Sequence, residues 1–437
     1  VRRRIATALL LGELLFAALG FQPARAAAIA PGHDDYPRLG MYSAIRGNGA
    51  PFLRANGSLD TLVCREQARW DLVILDAAAP SRRPDILAAL RRYNPGIRVY
   101  AYVMGAIYWA NPHPALGDTT TDFPWRYWAA VRNTDGILWC RGGRPCGFTN
   151  VNVAKPVTMA TLAILIAGDI TRSGLWDGLF IDVTCPKIHG IVAGEDTVDL
   201  ARLGFASVAA FEEAWTRSHR GFLEALRGLS PPGFPIVGNC GPGGEPLFNG
   251  WMRENFPWQN AGPGDDPWRA NMIRNFYGAP GYLTDAERYM PPAASWLTWE
   301  PAGGDSTSPE NLRRARYTNA SATLGEGYAS VARHEWERRR FWWAPENAVN
   351  QYGRATTNRY WRGWLGAPLG PAYAVDGAWR RDFRRGVVLV NPTNSPIRIR
   401  LGGAYRRIRA ALPGYDGRRD TAFTLPARDG LFLLKAK

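Results

Sequence analysis

Trp176-Asp177-Gly178-Leu179-Phe180-Ile181-Asp182 is the stretch on which the fold turns. Its centre is apolar on both faces, as a strand covered on each side must be. It ends in a carboxylate, and a charge at the end of a buried strand is costly unless it faces a polar site. Seven more short runs of this kind surround it: Leu39 to Tyr42, Leu72 to Leu75, Ile97 to Val103, Phe234 to Asn239, Gly250 to Glu254, Trp296 to Trp299 and Gly327 to Val331. With Gly178 to Val183 they make eight, separated by helical stretches such as Arg83 to Tyr93, Ala209 to Leu229 and Pro309 to Leu324. Buried strands joined by helical crossovers predict a parallel sheet, and eight of them predict an α/β fold of the (β/α)8 TIM barrel type. The segment Gly241 to Asn249 leaves little room for a helix, so the unit after the fifth strand is compressed.

From about Gly366 the pattern changes to Trp379 to Phe383, Gly386 to Asn391, Pro396 to Leu401, Ala422 to Leu425 and Gly430 to Leu434, divided by Gly, Pro, Asn and Asp turns. No helix separates these runs. They predict a small C-terminal antiparallel β-sandwich over residues 366–437, packed on the barrel because so small a sheet has little core of its own. The barrel then occupies residues 27–365. Residues 1–26 read as a secretory signal peptide: Arg2, Arg3 and Arg4, an apolar run from Ile5 to Phe21, and Ala24-Arg25-Ala26 as the cleavage site. Glu13 interrupts that run, which is short for a span of about 20 residues, so stable membrane insertion is not expected. The expected location is secreted or periplasmic.

The 437 residues are 46% hydrophobic and 21% charged, enough for a large core and inconsistent with a disordered chain. The net charge is +15, yet Lys155, Lys187, Lys435 and Lys437 are the only lysines, and the 49 arginines are spread along the whole sequence. Nucleic-acid binding would call for clustered basic residues or a reading module, and neither is present. Five cysteines in an exported chain permit disulfides. Cys140 and Cys146 flank a turn-forming insert and form the first expected pair. Cys185 and Cys240, just beyond the fourth and fifth strands, form the second. The histidines at 33, 113, 189, 219 and 334 make no ligand pair at metal spacing, so neither metal nor other cofactor is expected. Eighteen tryptophans and 17 tyrosines exceed the ordinary needs of such a core, and rings of this kind suit the faces of sugars.

Catalytic groups of these barrels stand at the C-terminal ends of the strands. The carboxylates there are Asp76, Asp182, Glu254 and Glu300. Glycosidic bond cleavage needs two, because the transition state is cationic at carbon while the leaving oxygen needs a proton. Asp182 and Glu254 form the first-ranked pair, with Glu300 in place of Glu254 as second choice. Tyr42, Asp76, Tyr102 and Asn239 end the first, second, third and fifth strands and are candidates for binding sugar hydroxyls. Trp258, Trp299 and Tyr328 are candidates for stacking. Glu254 has Trp251, Met252, Phe256 and Trp258 nearby in sequence, so an apolar surrounding suits it to the proton-donor role, with Asp182 as the ionised nucleophile.

Arg69 to Asp76, Asn94 to Tyr102, Asp177 to Asp182, Leu324 to Tyr328 and Trp379 to Pro392 resemble hypothetical glycosyl hydrolase family 15, related to endo-α-1,4-polygalactosaminidase-like barrels. The resemblance covers nearly all of residues 27–437. It implies a TIM barrel with an appended β-sandwich, a strand-four Asp nucleophile and a strand-six acid/base, positions that Asp182 and Glu254 match. The expected activity is that of a secreted glycoside hydrolase acting, with retention, on a polysaccharide or oligosaccharide. The alternative is a catalytically inactive barrel that binds carbohydrate.

Overall fold

The computed structural model describes residues 35–43, 52–54, 56–78, 83–106, 122–147, 150–188, 197–239, 245–254, 256–257, 272, 276–299, 307–331 and 343–436. Eight parallel strands close into a barrel: β1 (Leu39–Ser43), β2 (Leu72–Asp76), β3 (Arg98–Met104), β4 (Gly178–Asp182), β5 (Ile236–Gly238), β6 (Gly250–Arg253), β7 (Trp296–Trp299) and β8 (Tyr328–Val331). Each pairs with its neighbour in sequence, and β8 closes on β1 with Leu39 opposite Ala329. All eight expected strands are therefore present and in the expected order.

Around them lie α1 (Thr61–Gln67), α2 (Pro84–Tyr93), α3 (Phe123–Asn133), α4 (Pro156–Ile166), α5 (Val208–Leu229), α6 (Asp285–Arg288) and α7 (Pro309–Leu324). Their starts follow local chemistry. Ser207 and Ser308 cap α5 and α7 by accepting the amides of Ala210 and Asn311, and Pro309 fills a first-turn position where no amide is needed. Among the described residues between β5 and β6, a 3-10 turn, Glu245–Leu247, stands where other units carry a helix.

Alternation along each strand sorts side chains into two layers. Tyr42, Leu72, Ile74, Tyr100, Tyr102, Phe180, Val237, Met252, Trp296 and Tyr328 fill the barrel interior. Their neighbours, such as Val73, Ala101, Ile181, Leu297 and Trp299, pack outward against the helices. Rings this large fit because facing positions are empty. A Cβ on Gly178 would lie 2.3 Å from the Tyr100 ring, and one on Gly40 would lie 2.5 Å from the Trp296 ring.

The C-terminal region forms the expected small antiparallel β-domain, curved into a half-barrel. It is one six-stranded antiparallel sheet, with β9 (Tyr373–Val375), β10 (Ala378–Asp382), β11 (Gly386–Asn391), β12 (Ile397–Arg407), β13 (Arg419–Leu425) and β14 (Asp429–Lys435) in the order β9-β10-β11-β14-β12-β13. The physical reason for the curvature lies in β12. An irregularity between Arg400 and Tyr405 lets this long strand pair with β13 along its length and with β14 near its end, so the sheet bends on itself without needing a second one. One face encloses Val387, Leu389, Ile399, Phe423 and Leu433. From the other face Val388, Val390 and Phe432 join the core shared with the barrel. Residues 33–437 accordingly form one compact unit.

Candidate active site

At the mouth of the barrel three strand ends converge on Asp182. The register sets Met104 of β3 opposite Asp182 and Asp76 of β2 opposite Tyr102, so inward-facing residues of neighbouring strands stand side by side. The Tyr102 hydroxyl donates to Asp182 Oδ2 at 2.6 Å, and Asn239 Nδ2 donates to Asp182 Oδ1 at 2.9 Å. The backbone amide of Val183 completes the set, donating to Oδ1 at 2.8 Å. Val183 does this at φ +48, a left-handed conformation that β-branched residues rarely adopt and that costs on the order of 1–3 kcal/mol. Backbone strain is thus held at the residue that turns its amide onto the carboxylate.

Asn239 Nδ2 also lies 3.4 Å from Glu254 Oε2. One amide nitrogen bridges the two carboxylates, so Asp182 Oδ1 and Glu254 Oε2 are no farther apart than legs of 2.9 Å and 3.4 Å laid end to end. Beneath them the Tyr102 and Phe180 rings stack at 5.9 Å, with Tyr42 edge-on to Tyr102 at 6.1 Å. Burial first, then the adjacent Asp182 carboxylate, holds the Tyr102 phenol well above its ordinary range, so it remains a donor at neutral and acidic pH.

Behind β4 the chain is braced by α5. His219 Nε2 lies 2.9 Å from Thr184 Oγ1 and 3.1 Å from the Thr184 carbonyl, and Trp215 Nε1 donates to the Cys185 carbonyl at 2.9 Å. Burial pushes the His219 imidazole down to about 4, so it is neutral there. Cys185 is disulfide-bonded. Cys240, the cysteine that the sequence pairs with it, lies outside the described residues. Cys140 and Cys146 are bonded to each other, with Cα atoms 4.9 Å apart, and Cys64 is a buried free thiol.

Of the sequence candidates, Asp182, Glu254, Tyr102, Asn239 and Tyr42 are thus gathered at one place. Asp76 ends β2 beside them, and its carboxylate accepts the Ala78 amide at 2.8 Å, which shapes its own loop. Trp258 and Glu300 lie outside the described residues. Two candidates stand elsewhere. Trp299 points outward into the helix layer and is 1% exposed, because alternation puts Trp296 and Thr298 inward. Tyr328 begins β8, at the end of the barrel opposite the mouth, where its ring stacks on Trp296 at 5.6 Å; it is 5% exposed. Neither offers a face to a sugar.

The surroundings of Glu254 also differ from expectation. Trp251 packs on Phe248 and Phe256 on Phe276 and Tyr317, all in the outer layer. Of the described neighbours, only Met252 shares the inward side of the strand. Arg253 is directed outward, where it forms a two-pronged ion pair with Asp285 at 2.8 and 3.0 Å. Sequence reasoning missed the strained Val183 and the His219 brace. A lone His within a helix carries no signal for the second.

Residues 91–387 match the model of a family described as hypothetical glycosyl hydrolase family 15. None of the curated proteins matches the chain. Among solved structures, the chain is similar to an α-amylase from Geobacillus thermoleovorans complexed with acarbose, at 10% identity and TM-score 0.44 over 92% of this chain and 99% of that one. It is similar to a glycoside hydrolase family 5 protein from Bacteroides vulgatus at 9% identity and TM-score 0.42, over 92% and 90%. A GH31 dextranase from Flavobacterium johnsoniae complexed with glucose gives 12% and 0.43, over 91% and 51%.

Proposed function

The chain belongs to hypothetical glycosyl hydrolase family 15, and on that premise we propose that it is a secreted or periplasmic hydrolase that cleaves O-glycosidic bonds of a polysaccharide with retention, through Asp182 and Glu254. The observation that carries this is the Asn239 bridge. Two carboxylates held by one nitrogen at 2.9 and 3.4 Å are closer than the roughly 6.5 Å at which the inverting spacing begins, and a retaining pair stands about 5–5.5 Å apart. The Cys140–Cys146 disulfide supports an oxidising compartment, and none of the described helices is long and apolar enough to cross a membrane.

In this mechanism Asp182 is the nucleophile. Its three donors fix the carboxylate in one orientation and compensate its charge, and it attacks the anomeric carbon as the bond to the leaving oxygen breaks. Glu254 gives its proton to that oxygen. The glycosyl–Asp182 ester is then hydrolysed by a water whose proton Glu254 takes, returning both residues to their starting states. Tyr42, Asp76 and Asn239 hold sugar hydroxyls at the rim.

Reducing-end release from a panel of bacterial and fungal exopolysaccharides tests the activity, and chemical rescue tests the roles. On a substrate with an activated leaving group, Glu254→Ala should still form the glycosyl-enzyme and regain turnover with azide, whereas Asp182→Ala should form no intermediate. Full activity of Glu254→Ala on polysaccharide would transfer its role to Glu300. A wild-type chain that binds glycans but releases no reducing ends would be a binding barrel.

A further inference from the structure

Away from the barrel mouth, the turn at residues 350–354, the end of β12 and the β12–β13 connection line a half-open pocket of about 490 Å³, inside the size range of saccharide and small-ligand pockets. Three arginines line it: Arg354, Arg406 and Arg409. Most arginines of this chain that approach its core are spent on carboxylates, as Arg253 is on Asp285 and Arg316 on Asp429. Among the described residues these three have no carboxylate partner. The Nε atom of Arg406 is buried and makes no hydrogen bond.

Arg406 is also positioned. Gly353, at φ +77, has no side chain between its backbone and the guanidinium, and a Cβ there would come to 2.9 Å from Nη2. The guanidinium therefore lies against the loop, with Nε and Cζ each 3.0 Å from where that Cβ would stand. Asp416 is on the same wall, but its carboxylate accepts the Arg418 amide at 2.9 Å and shapes its own turn. Tyr352, 68% exposed, supplies a ring at the edge.

We propose that this cavity is an ancillary binding site for the carboxylate-bearing sugars of an acidic polysaccharide. A planar guanidinium matches a carboxylate with two parallel hydrogen bonds, and a tyrosine ring matches the apolar face of a pyranose. A nucleic acid would be expected to meet a basic stripe along a groove, whereas here three arginines gather around one half-open pocket. The choice of a saccharide rests on the glycosidase reading; the presence of a carboxylate site does not.

The test is binding to full-length Asp182→Asn, which removes turnover, by affinity electrophoresis in polygalacturonate and alginate and in their carboxyl-reduced neutral forms, at physiological salt. At least one acidic polymer should retard the protein, with its neutral form about tenfold weaker. Arg406→Ala and Arg354→Ala should each lower that affinity several-fold. Arg398→Ala and Arg400→Ala, exposed on β12 away from the cavity, should leave it unchanged. Equal losses for both pairs, equal binding of acidic and neutral forms, binding to neither acid, or a preference for single-stranded DNA would each overturn the proposal. Reducing-end release by the wild type across the exopolysaccharide panel, acidic and neutral members alike, is measured separately. Its absence would sink the hydrolase reading while leaving the arginine-dependent binding to stand or fall alone.

Discussion

The Tyr102 hydroxyl and Asp182 Oδ2 are 2.6 Å apart, with the phenol held as donor by burial and by the carboxylate it serves. This contact joins β3 to β4 at the point where the barrel presents its candidate nucleophile. A hydrogen bond to a charged acceptor contributes roughly 1.5–3 kcal/mol, so Tyr102→Phe should lower kcat by roughly 10- to 150-fold. KM should change little, because the ring and its stacking on Phe180 remain. Steady-state kinetics decide it. A variant that loses KM alone would make Tyr102 a sugar contact only.

Asn239 lies between the two carboxylates, at 2.9 and 3.4 Å. Replacing the amide by a third carboxylate, Asn239→Asp, places like charge beside both and raises their proton affinity. The acidic limb of the kcat/KM profile should move to higher pH in this variant. Asn239→Ala should lower activity without that displacement. Coincident acidic limbs in wild type and Asn239→Asp would show that the bridge does not couple the pair.

How much of this is legible in the sequence varies with the physics behind each feature. The eight barrel strands are legible because strands covered on both faces are predominantly apolar, and each run from Leu39 to Val331 is, even where Arg98, Arg253 or Ser330 interrupts it. The gathering of Tyr102, Asp182, Asn239 and Glu254 follows from it, since strand ends of a parallel barrel share one mouth. What adjacency in sequence hides is direction. Trp251 and Phe256 flank Glu254 along the chain, yet both rings pack in the outer layer. Tyr328 belongs to the right strand but enters it at the end opposite the mouth. The left-handed turn at Val183 has no sequence mark, because a valine is the residue least expected there.

The contact between barrel and C-terminal sheet contains a titrating switch in stability. Glu346 is 1% exposed, and burial pushes its carboxyl up to about 7 against the opposing influence of Arg316 and the Tyr415 hydroxyl, which donates at 2.6 Å. Buried Asp429 raises it further, although Arg316 is itself paired with Asp429 at 2.6 Å. A carboxyl near 4.3 when unfolded and near 7 when folded binds its proton more tightly in the folded state. Its stabilising effect is whole below about pH 4.3 and declines up to pH 7. Glu346→Gln keeps an acceptor for Tyr415 and removes the titration. Its Tm should match wild type near pH 4 and exceed it at pH 8; a constant difference across that range would refute the assignment.

Arg381 on β10 is 4% exposed and donates to the carbonyls of Thr323 and Gly325, at 3.3 and 2.6 Å, and to the Glu326 carboxylate. Glu326 also receives Tyr36 and Arg38 from the chain leading into β1. Burial alone would raise the Glu326 carboxyl, but Arg381, Tyr36 and Arg38 outweigh it and hold it below the usual range. Arg381→Ala leaves that half-buried carboxylate without its main partner and removes the donor to the Thr323 and Gly325 carbonyls, at a cost of about 1–3 kcal/mol. Urea denaturation should show that loss, and Arg381→Ala combined with Glu326→Gln should recover part of it.

His219 should govern the acid side of stability. Its imidazole is 4% exposed and held at about 4 by burial, against about 6.5 in an unfolded chain. The unfolded state therefore binds the proton more readily. The stability contributed by neutral His219 is complete above pH 6.5 and is lost as pH falls toward 4, at up to about 1.4 kcal/mol per pH unit for one proton. His219→Gln retains a polar side chain toward Thr184 and does not titrate. It should cost stability at pH 7.5 but flatten the decline between pH 6.5 and 4 by up to one proton. Because Thr184 follows Asp182 by two residues and its amide donates to the Asn239 carbonyl at 3.0 Å, the same substitution should lower kcat at pH 7.5 more than it raises KM. Parallel stability–pH curves for the two proteins would show that His219 does not titrate on unfolding.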